Sequence, residues 1–210
     1  MQSAPLVNLH CHSDPGADAE GILSAEPGNR LPDAKRISMG LHPWRLQDWR
    51  ERLAQIEEAA ANGVLSAIGE CGLDRIRSSA EFSTQQEVFE AQIKLAEKFN
   101  LPLIIHCVRA VPEIISASKH HPGVKYWIMH GFNSKPQLLV DLLEHGFYLS
   151  YGPDVKTDLL IQTPIDRMFL ETDASGEDIS CHYYRVAQII QTDIGELRKR
   201  LYENFQLIFL

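Results

Sequence analysis

Long apolar runs are missing from this 210-residue chain, as are a glycine-rich phosphate loop, an internal repeat and any Cys-x-x-Cys pair. No stretch approaches the roughly 20 apolar residues that a membrane helix needs, and Met1-Gln2-Ser3-Ala4-Pro5 lacks the basic-then-apolar pattern of a signal segment. A soluble, cytoplasmic protein with no membrane partner is expected. Without a phosphate loop, neither a P-loop nor a dinucleotide-binding fold is indicated. The four cysteines permit two disulfides, but Cys11, Cys71 and Cys107 each directly follow a histidine or glutamate at the end of an apolar run. In a strand such a neighbour points to the opposite face, where a reduced cysteine packs as a small apolar residue. Positive charge is also short, 20 Lys and Arg against 28 Asp and Glu, a net charge of −8 that argues against a broad electrostatic grip on nucleic acid.

What the chain does have is a 44% hydrophobic content, enough for one substantial core, so a single domain over residues 1–210 is expected. It also has metal-ligand side chains at the ends of separate apolar runs. His10 and His12 close Leu6-Val7-Asn8-Leu9-His10-Cys11-His12, where residues two apart share a face and can grip one ion together. Glu70 closes Ser66-Ala67-Ile68-Gly69-Glu70, and His106 closes Leu103-Ile104-Ile105-His106. His130 closes Trp127-Ile128-Met129-His130, and Asp173 ends Met168-Phe169-Leu170-Glu171-Thr172-Asp173. Buried imidazoles and carboxylates are costly without partners, so their repetition at strand ends points to divalent ions that neutralise them. Two such ions add four positive charges at one place, and the local field then opposes the global one.

Strand and helix patterns alternate. Ser13 to Asp33 reads mostly as loop, with Ile22-Leu23 a short strand, and Ile37 to Leu41 is a strand running into His42-Pro43-Trp44. Helices are predicted over Leu46 to Ala61, Phe82 to Phe99, Val111 to Lys119, Lys135 to His145 and Asp154 to Gln162. Strands are predicted over Val124 to His130, Phe147 to Tyr151 and Asp166 to Asp173, and closing helices over Ala187 to Phe209, broken at Gly195 and Asn204. This order implies an α/β fold with a parallel sheet and helices outside it. Candidate ligands at the carboxyl ends of many strands favour a TIM-type (β/α) barrel over an open doubly wound sheet.

Taken together, Asn8-Leu9-His10-Cys11-His12, Gly40-Leu41-His42-Pro43, Gly69-Glu70-Cys71-Gly72-Leu73-Asp74, Gln86 to Ala96 with Leu101-Pro102-Leu103-Ile104-Ile105-His106, His130-Gly131-Phe132, Glu171-Thr172-Asp173 and Asn204 to Phe209 resemble the TatD family of metal-dependent hydrolases. The resemblance implies a divalent-metal deoxyribonuclease, an exonuclease on single-stranded DNA acting from the 3' end, and a monomer. It implies two divalent ions (Mg, Mn or Zn), one held by His10, His12, Glu70 and Asp173 and the other by Glu70, His106 and His130. Glu70 and Asp173 are then the catalytic carboxylates, Glu70 as the bridge and Asp173 as the proton acceptor. His42 either orients a phosphate or ends its strand, and Arg109 either clamps a phosphate or sits in a surface ion pair. Three departures from the family pattern stand out: Asn8 in place of Asp, Arg109 one place late, and Ser175-Gly176 in place of Ser-Pro. The segment between Asp14 and Ile37 is short for the family, so the first helix should be missing and the barrel should be distorted or have seven to eight strands. Two other readings remain open: an amidase or lactonase using the same metal centre, and a non-catalytic metal-binding barrel.

Overall fold

The computed structural model describes residues 4–16 and 18–210. Met1 to Ser3, within the segment read as lacking a signal, and Ala17, within the expected 13–33 loop, lie outside the described residues. Eight strands run along the chain: β1 (Leu6–Cys11), β2 (Ala19–Ala25), β3 (Ile37–Met39), β4 (Ala67–Asp74), β5 (Leu103–Val108), β6 (Trp127–Met129), β7 (Tyr148–Tyr151) and β8 (Met168–Leu170). From β3 onward a helix follows each strand, in order α1 (Trp49–Ala61), α2 (Phe82–Phe99), α3 (Val111–His120), α4 (Pro136–Glu144), α5 (Thr157–Gln162), and then α6 (Ile179–Ile189) with α7 (Ile194–Phe209). The described strand pairs are parallel, and the fold is a (β/α) barrel of the TIM type. Among the described residues no helix is long and apolar enough to cross a membrane.

By compactness the chain divides into a unit comprising its start up to Leu23 with His130–Leu210, and a unit comprising Ser24–Met129. In the first unit β1 pairs with β2 and β7 with β8, and a bridge joins Cys11 to Asp173. Tyr183 of α6, fully buried, takes the Val7 N–H at 2.9 Å and so fixes the helix against β1. No helix joins β1 to β2 among the described residues, as expected, and the β2 to β3 connection lacks one as well, for Pro27, Gly28 and Pro32 interrupt it. Every residue of β1 is buried, whereas most of β2 is half-buried, which is the consequence of a strand without a covering helix. The expected two-residue strand at Ile22-Leu23 is in fact seven residues long.

In the second unit β3 to β6 pair in sequence. Helix α2 forms over the expected range because Val88, Phe89, Gln92, Ile93, Leu95 and Ala96 make one buried stripe, and it stops at left-handed Asn100 just before Pro102.

Two expectations about the chain's end are corrected. Helix α6 starts at Ile179, capped by the Asp178 carboxylate on the Ser180 N–H at 2.8 Å, well before Ala187. Helix α7 is unbroken. Gly195 sits in its first turn, under the Asp193 cap, while the Asn204 side chain, instead of breaking the helix, donates to the carbonyls of Ile165 and Met168 at 2.8 and 3.1 Å.

Candidate metal centre

Each unit brings its own candidate ligands together at strand ends. In the first unit, His10 lies inside β1, His12 just past it, and Asp173 three residues beyond β8, which is shorter than the Asp166 to Asp173 strand expected. The chain after Leu170 leaves strand geometry because Asp173 is left-handed, with φ 50°, a conformation that Asp tolerates better than most side chains. That turn is pinned to β1. The Asp173 N–H donates to the His10 carbonyl at 3.0 Å, and the His12 N–H donates to the Asp173 carbonyl at 3.4 Å. Asn8 completes the tie: its Oδ1 accepts the Thr172 N–H at 3.0 Å and its Nδ2 donates to Thr172 Oγ1 at 2.9 Å. An Asp at position 8 would lack that second donor, so the departure from the family pattern has a local use.

The donor atoms converge as a result. Asp173 Oδ1 is 3.2 Å from His12 Nε2 and 3.7 Å from His10 Nε2, and the three residues offer ligand atoms within 4.8 Å of one another. The His130 ring stands 4.6 Å from that of His10. His130 Nδ1 faces Glu171 Oε1 at 3.1 Å, and the Gly131 N–H donates to the same oxygen at 2.8 Å. A carboxylate can only accept, so this contact favours the proton on His130 Nδ1 and the lone pair on Nε2.

The second unit assembles His42, Glu70 and His106, again with ligand atoms within 4.8 Å. Strand β4 does not end at Glu70 as expected but continues to Asp74, since Cys71, Gly72, Leu73 and Asp74 pair with Ile105 to Val108 on β5. Gly72 permits this: a Cβ there would lie 2.0 Å from the His106 carbonyl oxygen. Glu70 Oε1 is 2.9 Å from His106 Nδ1 and 3.1 Å from His42 Nε2. His106 Nε2 meets Asp74 Oδ2 at 3.1 Å. Asp74 also takes the Trp44 indole N–H at 2.6 Å and the N–H groups of Ile76 and Arg77 at 2.7 and 2.9 Å. Burial opposes its ionisation, but these donors and His106 outweigh it and hold the Asp74 carboxyl down at about 2. Two buried glutamines of α2 position the group: Gln85 accepts the Asp74 N–H at 2.8 Å, and Gln92 takes the Leu41 N–H at 2.6 Å beside His42.

Apart from the longer 3.7 Å between Asp173 and His10, these distances suit a divalent ion. Donors sharing one ion at about 2.0–2.1 Å, at angles of about 90–110°, stand roughly 2.9–3.4 Å apart. His106 adds a chemical argument. Both of its ring nitrogens face carboxylate oxygens, yet a neutral imidazole has a single N–H. With that proton directed at Asp74, a cation beside Nδ1 and Glu70 removes the clash of lone pairs. No cysteine belongs to either donor group. Burial pushes the thiols of Cys11 and Cys107 up to about 12, and that of Cys71 higher still, while Cys11 and Cys71 are fully buried, as a packing role requires.

Of the remaining candidates, His42 joins the Glu70 group instead of merely ending its strand, with Nδ1 accepting the Trp44 N–H at 3.2 Å. Arg109 is exposed, left-handed with φ 54°, and makes no ion pair among the described residues. Phe132 is buried and packs near Tyr151, and Trp44 is occupied by Asp74. His182 is a core residue of α6 whose Nε2 donates to the Tyr151 carbonyl at 2.9 Å. Sequence reasoning assigned no role to Asp74 and Glu171. The signal was present, since Glu70, Gly72 and Asp74 share a strand face and Glu171 stands two residues before Asp173.

A family model described as TatD related DNase matches residues 23–210. The uncharacterized metal-dependent hydrolase YabD of Bacillus subtilis is 30% identical over 187 residues, which is 81% of this chain and 72% of that protein. A 3'-5' ssDNA/RNA exonuclease TatD of Erwinia tasmaniensis is 32% identical over 154 residues, 68% of this chain; the match spans only 59% of that relative's length. The crystal structure of YjjV, a TatD homolog from Escherichia coli, superposes with a TM-score of 0.86 at 21% identity over 97% of each chain, a likeness of fold.

Proposed function

The chain belongs to the TatD-related DNase family, and from that premise we propose that it hydrolyses phosphodiester bonds of single-stranded DNA, stepwise from a 3' end, with residues 1–210 acting as one hydrolase domain. The observation that carries this reading is the pair of histidine–carboxylate groups with shared-ion spacing: His10, His12 and Asp173, with His130 beside them, and Glu70 and His106 with His42. We assign one divalent ion (Mg, Mn or Zn) to each group. Bound there, such ions supply charge that stabilises phosphoryl oxygens and lowers the pKa of water from about 16 towards 7.

The protein's own groups do the rest. Asp173, with 47% of its side chain exposed, reaches solvent and is placed to take a proton from water and return it to the leaving oxygen. Glu70 is held between His42 and His106, at 3.1 and 2.9 Å, which orient its carboxylate. Asp74 and Glu171 set the proton position on His106 and His130. Arg109, exposed and without an ion pair among the described residues, is available to pair with a phosphate.

The test uses end-labelled linear and circular single strands with added Mg, Mn or Zn. The linear strand should shorten stepwise while the circle persists. If both stay intact with every ion, and a cyclic amide or lactone is opened, the nuclease reading fails in favour of an amidohydrolase.

A further inference from the structure

Trp44, in the loop after β3, is 37% exposed, yet its hydrogen bonds and ring contacts converge on the donor group of the second unit. Its indole N–H donates to Asp74 Oδ2 at 2.6 Å, and its backbone N–H donates to His42 Nδ1 at 3.2 Å. The ring stands edge-on to His42 and His106, with centroids 4.5 and 5.5 Å away and planes at 72° and 78°. The Arg77 guanidinium lies 5.4 Å from the indole centre. The indole of buried Trp127, by contrast, donates to the carbonyl of Val124, a tie within its own segment. Asp74 is held at both oxygens. Its Oδ1 accepts the N–H groups of Ile76 and Arg77 in its own loop, so the freedom left to the carboxylate lies at Oδ2, which meets Trp44 and, at 3.1 Å, His106 Nε2. An indole N–H donates and never accepts, so the Trp44 contact has a single polarity.

Given the metal-dependent hydrolysis proposed above, we infer that Trp44 is a positioning residue of the His42, Glu70 and His106 group. It acts through its neighbours. The indole N–H fixes the plane of the Asp74 carboxylate, which in turn orients His106. The ring abuts both imidazoles and limits their tilt, so that His106 and His42 stay at 2.9 and 3.1 Å from Glu70 Oε1. All of these contacts are made within the protein, without substrate, which separates a positioning residue from a base-stacking one. The loops after β3 and β4 have a further tie, for Ser78 Oγ donates to the Pro43 carbonyl at 2.6 Å. That bond does not involve the indole, so the loops stay joined when the side chain of Trp44 is changed.

Trp44→Phe keeps an aromatic ring and removes the N–H, Asp74→Ala removes its acceptor, and the double variant closes a thermodynamic cycle. The affinities of the metal-free proteins for Zn and Mn are measured by competition with a chelating dye. Circular dichroism and the metal-free Tm check folding. Trp44→Phe should weaken one of the two ions about 10-fold and leave the other unchanged, at the parent's metal-free Tm. In the Asp74→Ala background the same substitution should cost far less, because the acceptor is already gone. Should Asp74→Ala fail to fold, the selectivity of the single variant decides. Parent affinity for both ions in folded Trp44→Phe overturns the inference, and a raised KM for single-stranded DNA alongside it would make Trp44 a substrate contact instead. Equal losses in the two backgrounds, or a loss that merely tracks a lower metal-free Tm, also overturn it. A parent that binds no ion overturns it together with the metal assignment. Coupling between Trp44 and Asp74 in a parent that binds both ions but cleaves no phosphodiester supports the positioning role and refutes the reaction.

Discussion

His106 and His121 stand in matching surroundings, each ring with one nitrogen facing one carboxylate and the other nitrogen facing a second. The rings are covered alike, with 14% and 12% of their side chains exposed. Their partners are not. Glu90 and Glu97 around His121 are 42% and 30% exposed, whereas Glu70 and Asp74 around His106 are 11% and 0% exposed. Beside α2, water shares the charge of the carboxylates, and their position favours a second proton on His121. Burial works against that proton, but the bonds to Glu97 and Glu90 outweigh it and push the His121 pKa up. At the strand ends the carboxylates are sunk in the protein: Trp44 and two backbone N–H groups aim at Asp74, and Glu70 faces His42 as well as His106. There we assign a divalent ion in the place of the second proton that the surroundings of His121 favour. On the proposed assignment, the same three-residue set favours a proton or a metal according to the burial of its carboxylates.

The largest effect should come from Glu70→Gln, which leaves the shape of the site but removes its buried charge. Metal content by elemental analysis and hydrolysis should fall together, hydrolysis to background. Unchanged stoichiometry with full activity would place His106 in the same class as His121 and dissolve the comparison. Asp173→Asn should act differently, because its carboxylate is half exposed and its backbone turn is fixed by Asn8 and His10. It should keep the fold and lose about two to four orders of magnitude in turnover, with an altered pH profile. A variant matching the parent's rate across the pH range would remove Asp173 from proton transfer.

The sequence made the strand-end ligands legible because apolar runs and single His or carboxylate residues are local signals. Helix α2 was equally legible, its stripe being strictly periodic. Three features escaped for reasons that are not local. The extension of β4 from Glu70 to Asp74 depends on a glycine that lets β5 approach, a contact 34 residues distant in sequence between Gly72 and His106. Asn204 looked like a helix breaker because its capacity for competing hydrogen bonds is intrinsic, whereas its acceptors, Ile165 and Met168, are supplied by tertiary structure. Asp74 and Glu171 stood in plain view, but each acts through a histidine brought in from another strand, and no spacing rule joins them.

Asp74→Asn sharpens the comparison at the level of orientation. The amide can still accept from His106 and Trp44 but carries no charge. Metal affinity, measured by competition with a chelating dye, should weaken about 10- to 100-fold while Trp44 keeps its place. Glu171→Gln should do the same through His130. Affinity unchanged in both would mean that the two carboxylates merely pack.

The smallest effect, and the control for all the others, belongs to His121. Its folded pKa lies above the ordinary value of 6.5, so its contribution to stability is complete below that value and is lost as pH rises through the folded pKa. Glu90 is shifted the other way. Burial raises its pKa, but bonds from Lys94 and His121 lower it more, so its contribution is present above 4.5 and lost as pH falls. The cluster should therefore help most between about pH 4.5 and 6.5. Because its carboxylates are partly exposed and screened, the help should not exceed about 1 kcal/mol. For a chain of this length, His121→Gln should then lower Tm by about 2–4 °C at pH 5.5 and by little at pH 8.5. Adding a chelator should leave that difference untouched, while it lowers the Tm of any variant whose strand-end groups still hold ions. If the chelator abolished the His121 difference, this histidine would itself be binding metal, and the burial of the carboxylates would no longer separate the two clamps.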